Sequence, residues 1–282
     1  MTIGGTEIKF SETAEHVGIV RSSSGNLPHI LDRVAAHRKS LFAVLPSGLA
    51  KRHNANQAAA MSVHNSFSLP VLLSGIAPLT LTSTEVDVLD KHFKNILKSL
   101  MKLPDKSPDP VIYFLAGTVP IRAHIHRRQL SLFGMITRLP TNILHATAST
   151  ILSSDPDSSK SWFVSNIRRL CSQYSLPSPL QLLQNPSSKN NYKKLIKSKI
   201  IDYWETLLRA EAAPKPSLIH FKPSFMSLSS PHPMFTTCDS NPFETNKSTA
   251  KQLSYQGVLK LTSSQDTGSV KILRVSVSFV LT

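Results

Sequence analysis

The stretch Thr82–Met101, TSTEVDVLDKHFKNILKSLM, decides the fold class. It opens on Thr-Ser-Thr-Glu, a capping box: the Thr82 hydroxyl can accept the Glu85 amide while the Glu85 carboxylate reaches back to Thr82. Val86, Leu89, Phe93, Ile96, Leu97, Leu100 and Met101 then recur at three and four residues, which lays one apolar stripe along a helix. Glu85, Asp87 and Asp90 come early and Lys94, Lys98 and Lys102 late, the order a helix dipole favours. Pro104 ends the pattern.

The same punctuation repeats downstream. "DKSPDPV", 105–111, reads as a loop. "IRAHIHRRQLSLFGMITRL", 121–139, reads as a helix entered through Pro120, with Arg122, Arg127, Arg128 and Arg138 and no acid. A further helix is expected at 141–152, then the loop "SSDPDSSK". "SWFVSNIRRLCSQYSL", 161–176, is amphipathic through Trp162, Phe163, Ile167, Leu170, Cys171 and Tyr174. "PSPLQLLQNP" is a short helix between prolines. The last strong helix lies in "SSKNNYKKLIKSKIIDYWETLLRAEA", 187–212. Its apolar stripe is Tyr192, Leu195, Ile196, Ile200, Tyr203, Trp204, Leu207 and Leu208. Lys189, Lys193, Lys194, Lys197 and Lys199 load its first half, against the dipole, which hints at an anionic partner or at a solvated lysine face.

Upstream, "SSSGNLPHILDRVAAHRKSLFAVL", 22–45, predicts a helix. Its expected inner face is Leu31, Val34, Ala35, Arg38, Leu41, Phe42 and Leu45. "NQAAAMSVHNSF", 56–67, is a second candidate. "LPVLLSGIAPLTLT", 69–82, is apolar and broken by Gly75 and Pro78, and its length does not separate helix from strand. At the front, "EIKFSETAEHVGIVRS", Glu7–Ser22, reads as two short strands, one with Ile8 and Phe10, the other with Val17, Ile19 and Val20 around Gly18. From Pro214 the chain is proline-rich and expected to run extended over the surface, and the tail from Val258 reads as a hairpin. The expected fold class is mainly α: several proline-punctuated helices, a small N-terminal β element and a hairpin-like C-terminal tail, with little strand between 82 and 212.

The totals agree. Ten glycines against 19 prolines in 282 residues suit separate helices better than a glycine-turned β protein. Two cysteines, Cys171 and Cys238, are too few for a disulfide framework and suit a reducing compartment. The first residues lack the basic and apolar parts of a secretory leader, and no run of about 18 apolar residues exists. An intracellular location, nuclear or cytoplasmic, and no membrane partner are therefore expected. The charge is the strongest bulk signal. Thirty-two Lys+Arg against 17 Asp+Glu give a formal +15, a field that attracts polyanions, phosphate backbones first.

Catalytic constellations are missing from the sequence. There is no GxxxxGK[ST] loop, no GxGxxG, no HExxH, no GxSxG and no CxxC pair. His124 and His126, two apart on a helix, point to different faces and make poor joint metal ligands. Asp155 and Asp157 flank Pro156 in a turn beside Lys160. No cofactor and no metal are expected.

The order of segments carries a resemblance. "AEHVGIVRSSSGNLPHILDRVAAHRKSLFAVL", "LPVLLSGIAPLTLT", "YFLAGTVPIRAHIHRRQLSLFGMITRLP", "SWFVSNIRRL…LLRAEA" and "PSLIHFKPSFMSLSSPHPMF" resemble, in the same order, the post-palm part of the reverse transcriptases of non-LTR (LINE-type) retrotransposons. The resemblance covers roughly residues 1–245. It implies that His16, Val17, Gly18 and Ile19 stand where the family has its primer-grip hairpin, and that the helices behind resemble its thumb and connection. It divides the chain into 1–22, a primer-grip-like element; 23–110, a thumb-like region; 111–212, a connection-like region; and 213–282, a proline-rich segment with a tail unlike the family.

The resemblance also implies that the family's catalytic aspartates, including the Tyr/Phe-x-Asp-Asp turn, lie upstream of "KF…EHVGI". The chain is thus expected to be a truncated remnant with no polymerase activity of its own, or one that meets a palm-containing polypeptide in trans. The family's terminal Cys/His cluster is absent, Cys238 standing alone. Basic side chains on thumb-like helices would meet phosphates and give affinity without sequence reading. The candidates are Arg33, Arg38, Lys39, Lys51 and Arg52, joined by Arg122, Arg127, Arg128, Lys193, Lys194 and Lys197. The alternative is a basic helical scaffold or interaction protein with no nucleic-acid role.

Overall fold

The capping box that starts the central helix is formed. In the computed structural model, α4 runs Ser83–Met101; the Glu85 amide donates to Thr82 Oγ1 at 3.3 Å and the Thr82 amide donates to Glu85 Oε2 at 2.8 Å. The described residues are 2–3, 6–7, 13–16, 19–22, 25–44, 57–153, 162–215, 218 and 227–232. They are mainly helical. In chain order the elements are β1 (Thr2–Ile3), β2 (Thr6–Glu7), β3 (Thr13–His16), β4 (Ile19–Ser22), α1 (Leu27–Val44), α2 (Gln57–Val63), α3 (Leu69–Leu72) and α4. Then follow α5 (Asp109–Ala116), α6 (Ile121–Ile136), α7 (Ile143–Ser153), α8 (Trp162–Gln173), α9 (Pro179–Gln184) and α10 (Lys189–Ala212). A single π-helical turn, His64–Ser68, joins α2 to α3. Among the described residues, no strand occurs between 82 and 212.

The chain divides into two compact units. The first holds Met1–Phe42, Ser66–His92 and Ile121–Lys199; the second holds Ala43–Asn65, Phe93–Pro120 and Ile200–Thr282.

In the first unit β3 and β4 form an antiparallel hairpin in the register Thr13↔Ser22 to His16↔Ile19. The break therefore falls between His16 and Ile19, not before Val17. Ile8 and Phe10 lie outside the described residues. Ile19 is half-buried, and its Cγ1 would stand 2.9 Å from a Cβ added at Gly75, as would His29 Nε2. Gly75 has φ +72°, so both space and backbone call for glycine there.

Glu85 also holds the start of α1: its Oε1 accepts the Asn26 amide at 3.1 Å, and the Asn26 side chain donates to the Thr80 carbonyl at 2.6 Å. The inner face of α1 is Ile30, His37 and Leu41, with His29 at its first turn. This corrects the expected face. Leu31, Ala35, Arg38 and Phe42 point outward, Phe42 at 72% exposure. The physical reason is polar partnering in the interior: His37 Nδ1 meets His92 Nε2 at 2.8 Å, and His29 meets the Ser74 carbonyl at 3.3 Å.

Helices α6 to α9 and the start of α10 complete this unit. Ile125, Leu130 and Phe133 of α6 and Ile167 and Leu170 of α8 are buried. Two polar pairs tie α6 to α8 and the turn after it, Asn166 Nδ2 donating to Gln129 Oε1 at 3.0 Å and His126 Nδ1 with the hydroxyl of Tyr174 at 2.7 Å. Arg168 donates to the Ile151 and Leu152 carbonyls, a cation at the C-terminus of α7, where the dipole favours it. Ser178 and Gln181 form a second capping box, at α9.

In the second unit α5 has no polar face: Pro110 through Ala116 are all buried. Its start corrects the expected loop, because Asp109 and Pro110 already belong to the helix. Proline suits the first helical turn, whose amides have no partner inside the helix. Lys94 pairs with Asp109 at 2.8 Å. Gly117 closes α5 in the left-handed conformation, φ +59°. A Cβ there would stand 2.0 Å from the Ser230 carbonyl carbon. The His232 amide donates to the Leu115 carbonyl at 3.1 Å and the Leu228 amide to Glu205 Oε1 at 2.8 Å. The proline-rich segment was expected on the surface, yet Leu218, Leu228 and His232 are buried. Hydrogen bonding of this backbone to α5 and to Glu205 draws it in.

Candidate nucleic-acid interface

Eleven basic residues were expected to meet phosphates. Lys51 and Arg52 lie outside the described residues, as do Val17 and Gly18 of the primer-grip-like set and Asp155 and Asp157. The other nine basic residues stand on α1, α6 and α10, all within the first unit.

The nine are not equivalent. Arg33 is clasped by its neighbour Asp32, which leaves its guanidinium already neutralised. Arg122 stands 3.7 Å from Asp87, both exposed, a pairing that water and salt weaken easily. Arg128 is half-buried; burial and then the neighbouring Arg127 push its guanidinium below the ordinary arginine range. Arg38, Lys39, Arg127, Lys193, Lys194 and Lys197 are exposed and make no ion pair with another described residue.

The α10 cations are ordered by the helix itself. Tyr192, Ile196 and Ile200 are buried in its first half, four residues apart, and Leu208 and Ala212 near its end. The next row around the helix is Lys189, Lys193 and Lys197, at the same spacing, about 6 Å of rise per step. Lys194 lies one row further. Burial of one stripe thus fixes a comb of ammonium groups along its flank, about 60° around the helix. The tyrosine end of the buried stripe is held by its hydroxyl, which donates to the Leu130 carbonyl at 3.3 Å.

Two further arginines join the basic surface of this unit. Arg169 is exposed and donates to Asn166 and Gln173, side chains that carry no charge. Arg138 and His145, with Ser187 and Ser188 at the start of α10, line an open cavity of about 590 Å³. The spacing of basic residues marks each of these as charged, but not which of them keeps a free charge.

No group of three or more histidine, cysteine or acidic side chains able to hold a metal occurs among the described residues. Among them, too, no helix is long and apolar enough to cross a membrane. Comparison with protein families, with curated proteins and with solved structures gave no match to this chain.

Proposed function

We propose that this chain binds the phosphate backbone of nucleic acid without reading its sequence, as the thumb and connection helices of the non-LTR reverse transcriptases it resembles would. The observation that carries the reading is the set of exposed cations on α1, α6 and α10 with no ion pair among the described residues, in a chain of net charge +15. Charges free of acid partners can release counterions from a polyanion, which is the source of sequence-independent affinity. Polymerisation is not part of the proposal: the 282 residues hold no Asp-Asp pair of the kind the family uses to hold metal ions. A palm-containing polypeptide acting in trans is a further proposed partner.

The test is fluorescence anisotropy with a labelled primer–template duplex and with a second duplex of unrelated sequence. Affinity in the micromolar range or weaker, equal for the two and falling tenfold or more between about 50 and 200 mM salt, is the expected result. Binding independent of salt, or none at about 50 mM, overturns it.

A second reading, a scaffold that docks another protein, is favoured by a different observation. Met135, Leu139, Ile143 and Leu144 are exposed where α6 gives way to α7, Ile143 at 79%. Unchanged nucleic-acid affinity in a Lys193→Glu/Lys197→Glu variant, together with a bound protein, would favour that reading.

A further inference from the structure

Phe42 stands in the last turn of α1 and is 72% exposed. A single exposed apolar side chain is ordinary. The surroundings of this one are not. Arg38 lies four residues before it and Lys39 three, the two spacings that bring side chains onto one helix face. Both cations are exposed and make no ion pair with another described residue. No acid occurs between Arg38 and Val44.

We infer that Phe42, with Arg38 and Lys39, is a stacking site for an unpaired base of single-stranded nucleic acid. The inference rests on the phosphate-binding reading above and adds the class of strand. A flat apolar ring in water beside two cations offers what a single strand presents, a base face and its adjacent phosphates. A blunt duplex exposes base faces only at its two ends, so the ring adds little to the affinity for a long duplex. Charge complementarity selects this occupant over a plain apolar partner, since docking an apolar surface here would leave the two cations uncompensated. Phe67 supplies the contrast. It is 65% exposed in the same unit, but no lysine or arginine occurs between Val63 and Val71.

The experiment uses the full chain and three labelled probes at low salt: a short oligothymidylate, an abasic deoxyribose-phosphate strand of the same length, and a long blunt duplex. Phe42→Ala is expected to weaken oligothymidylate binding about tenfold, the effect of one lost base stack. It leaves the abasic strand and the duplex unchanged. Phe67→Ala changes none of the three. Phe42→Trp keeps the affinity and gains an emission that oligothymidylate quenches and the abasic strand does not, relative to the wild-type tryptophans. Unchanged oligothymidylate affinity in Phe42→Ala overturns the inference, as does an equal loss on all three probes. If the wild-type chain binds no probe in a salt-dependent way, the phosphate reading falls as well. If it binds and only the Phe42 variants behave as wild type, the stacking site alone falls.

Discussion

The ring of Tyr192 occupies the space a side chain at residue 134 would need: a Cβ built on Gly134 stands 2.0 Å from its Cε1. The close approach of α6 to the start of α10, and with it the seating of the lysine comb, depends on this missing atom. Gly134→Ala is expected to lose about 1–3 kcal/mol or more by overpacking, despite the better helix propensity of alanine. Urea denaturation followed by circular dichroism measures it; a gain in stability would contradict the packing.

Glu85 serves two helix starts with one carboxylate, taking the Thr82 amide and the Asn26 amide. Removing it orphans both. Glu85→Ala should therefore cost more than Thr82→Ala, which removes one capping partner worth about 1 kcal/mol. Equal losses in the two variants would show that the Asn26 bond contributes nothing.

Acid should weaken the fold before it reaches the carboxylates. Burial holds the His126 imidazole down at about 3, with Arg169 and Arg122 adding to the effect, and holds His64 at about 4 despite an opposing hydrogen bond to Asn65. The unfolded rings, near 6.5, take up protons that the folded ones refuse. Stability is thus full above about pH 6.5 and declines below it, by up to about 1.4 kcal/mol per pH unit for each ring. The share of His64 levels off near pH 4 and that of His126 near pH 3. Urea titrations at stepped pH check this. His126→Gln, which can still hydrogen-bond the Tyr174 hydroxyl, should flatten the slope.

Lys189 opens α10 and carries its charge where the helix dipole disfavours a cation. Lys189→Glu should raise stability by about 0.3–1 kcal/mol and at the same time weaken binding to a duplex. The opposite signs are informative. A variant that loses affinity because it unfolds moves both measurements downward.

Burial pushes the Cys171 thiol up to about 12, so no thiolate forms near neutral pH. In a Cys238→Ser chain, Ellman's reagent should react only after denaturant is added. Rapid reaction of the native variant would contradict the burial of α8.

The elements legible from sequence were those with one wet face and a marked start. α4 announced itself by Thr82 and Glu85, and α10 by a stripe that could be only one side of a helix. α5 was not legible because nothing in it after Asp109 faces water: from Pro110 to Ala116 there is no charged or amide side chain to set a period, and the run is too short to separate helix from strand. The face of α1 was misread for the opposite reason. Its histidines count as polar in a pattern, yet His29 and His37 are fully buried because each found a partner. In the candidate interface the charges were legible and their availability was not. The Asp32 beside Arg33 is visible in the sequence, but the Asp87 that meets Arg122 is not, since only the fold brings them together.

The pairing of His232 with Leu115 also sets an order of events during synthesis. Residue 232 follows residue 115 by about 117 positions. At about 5–20 residues per second, translation leaves roughly 6–23 s in which the end of α5 exists without the segment that hydrogen-bonds it. During that interval the Leu115 carbonyl lacks the His232 amide that it accepts in the finished fold, and the backbone that packs against Gly117 is not yet made.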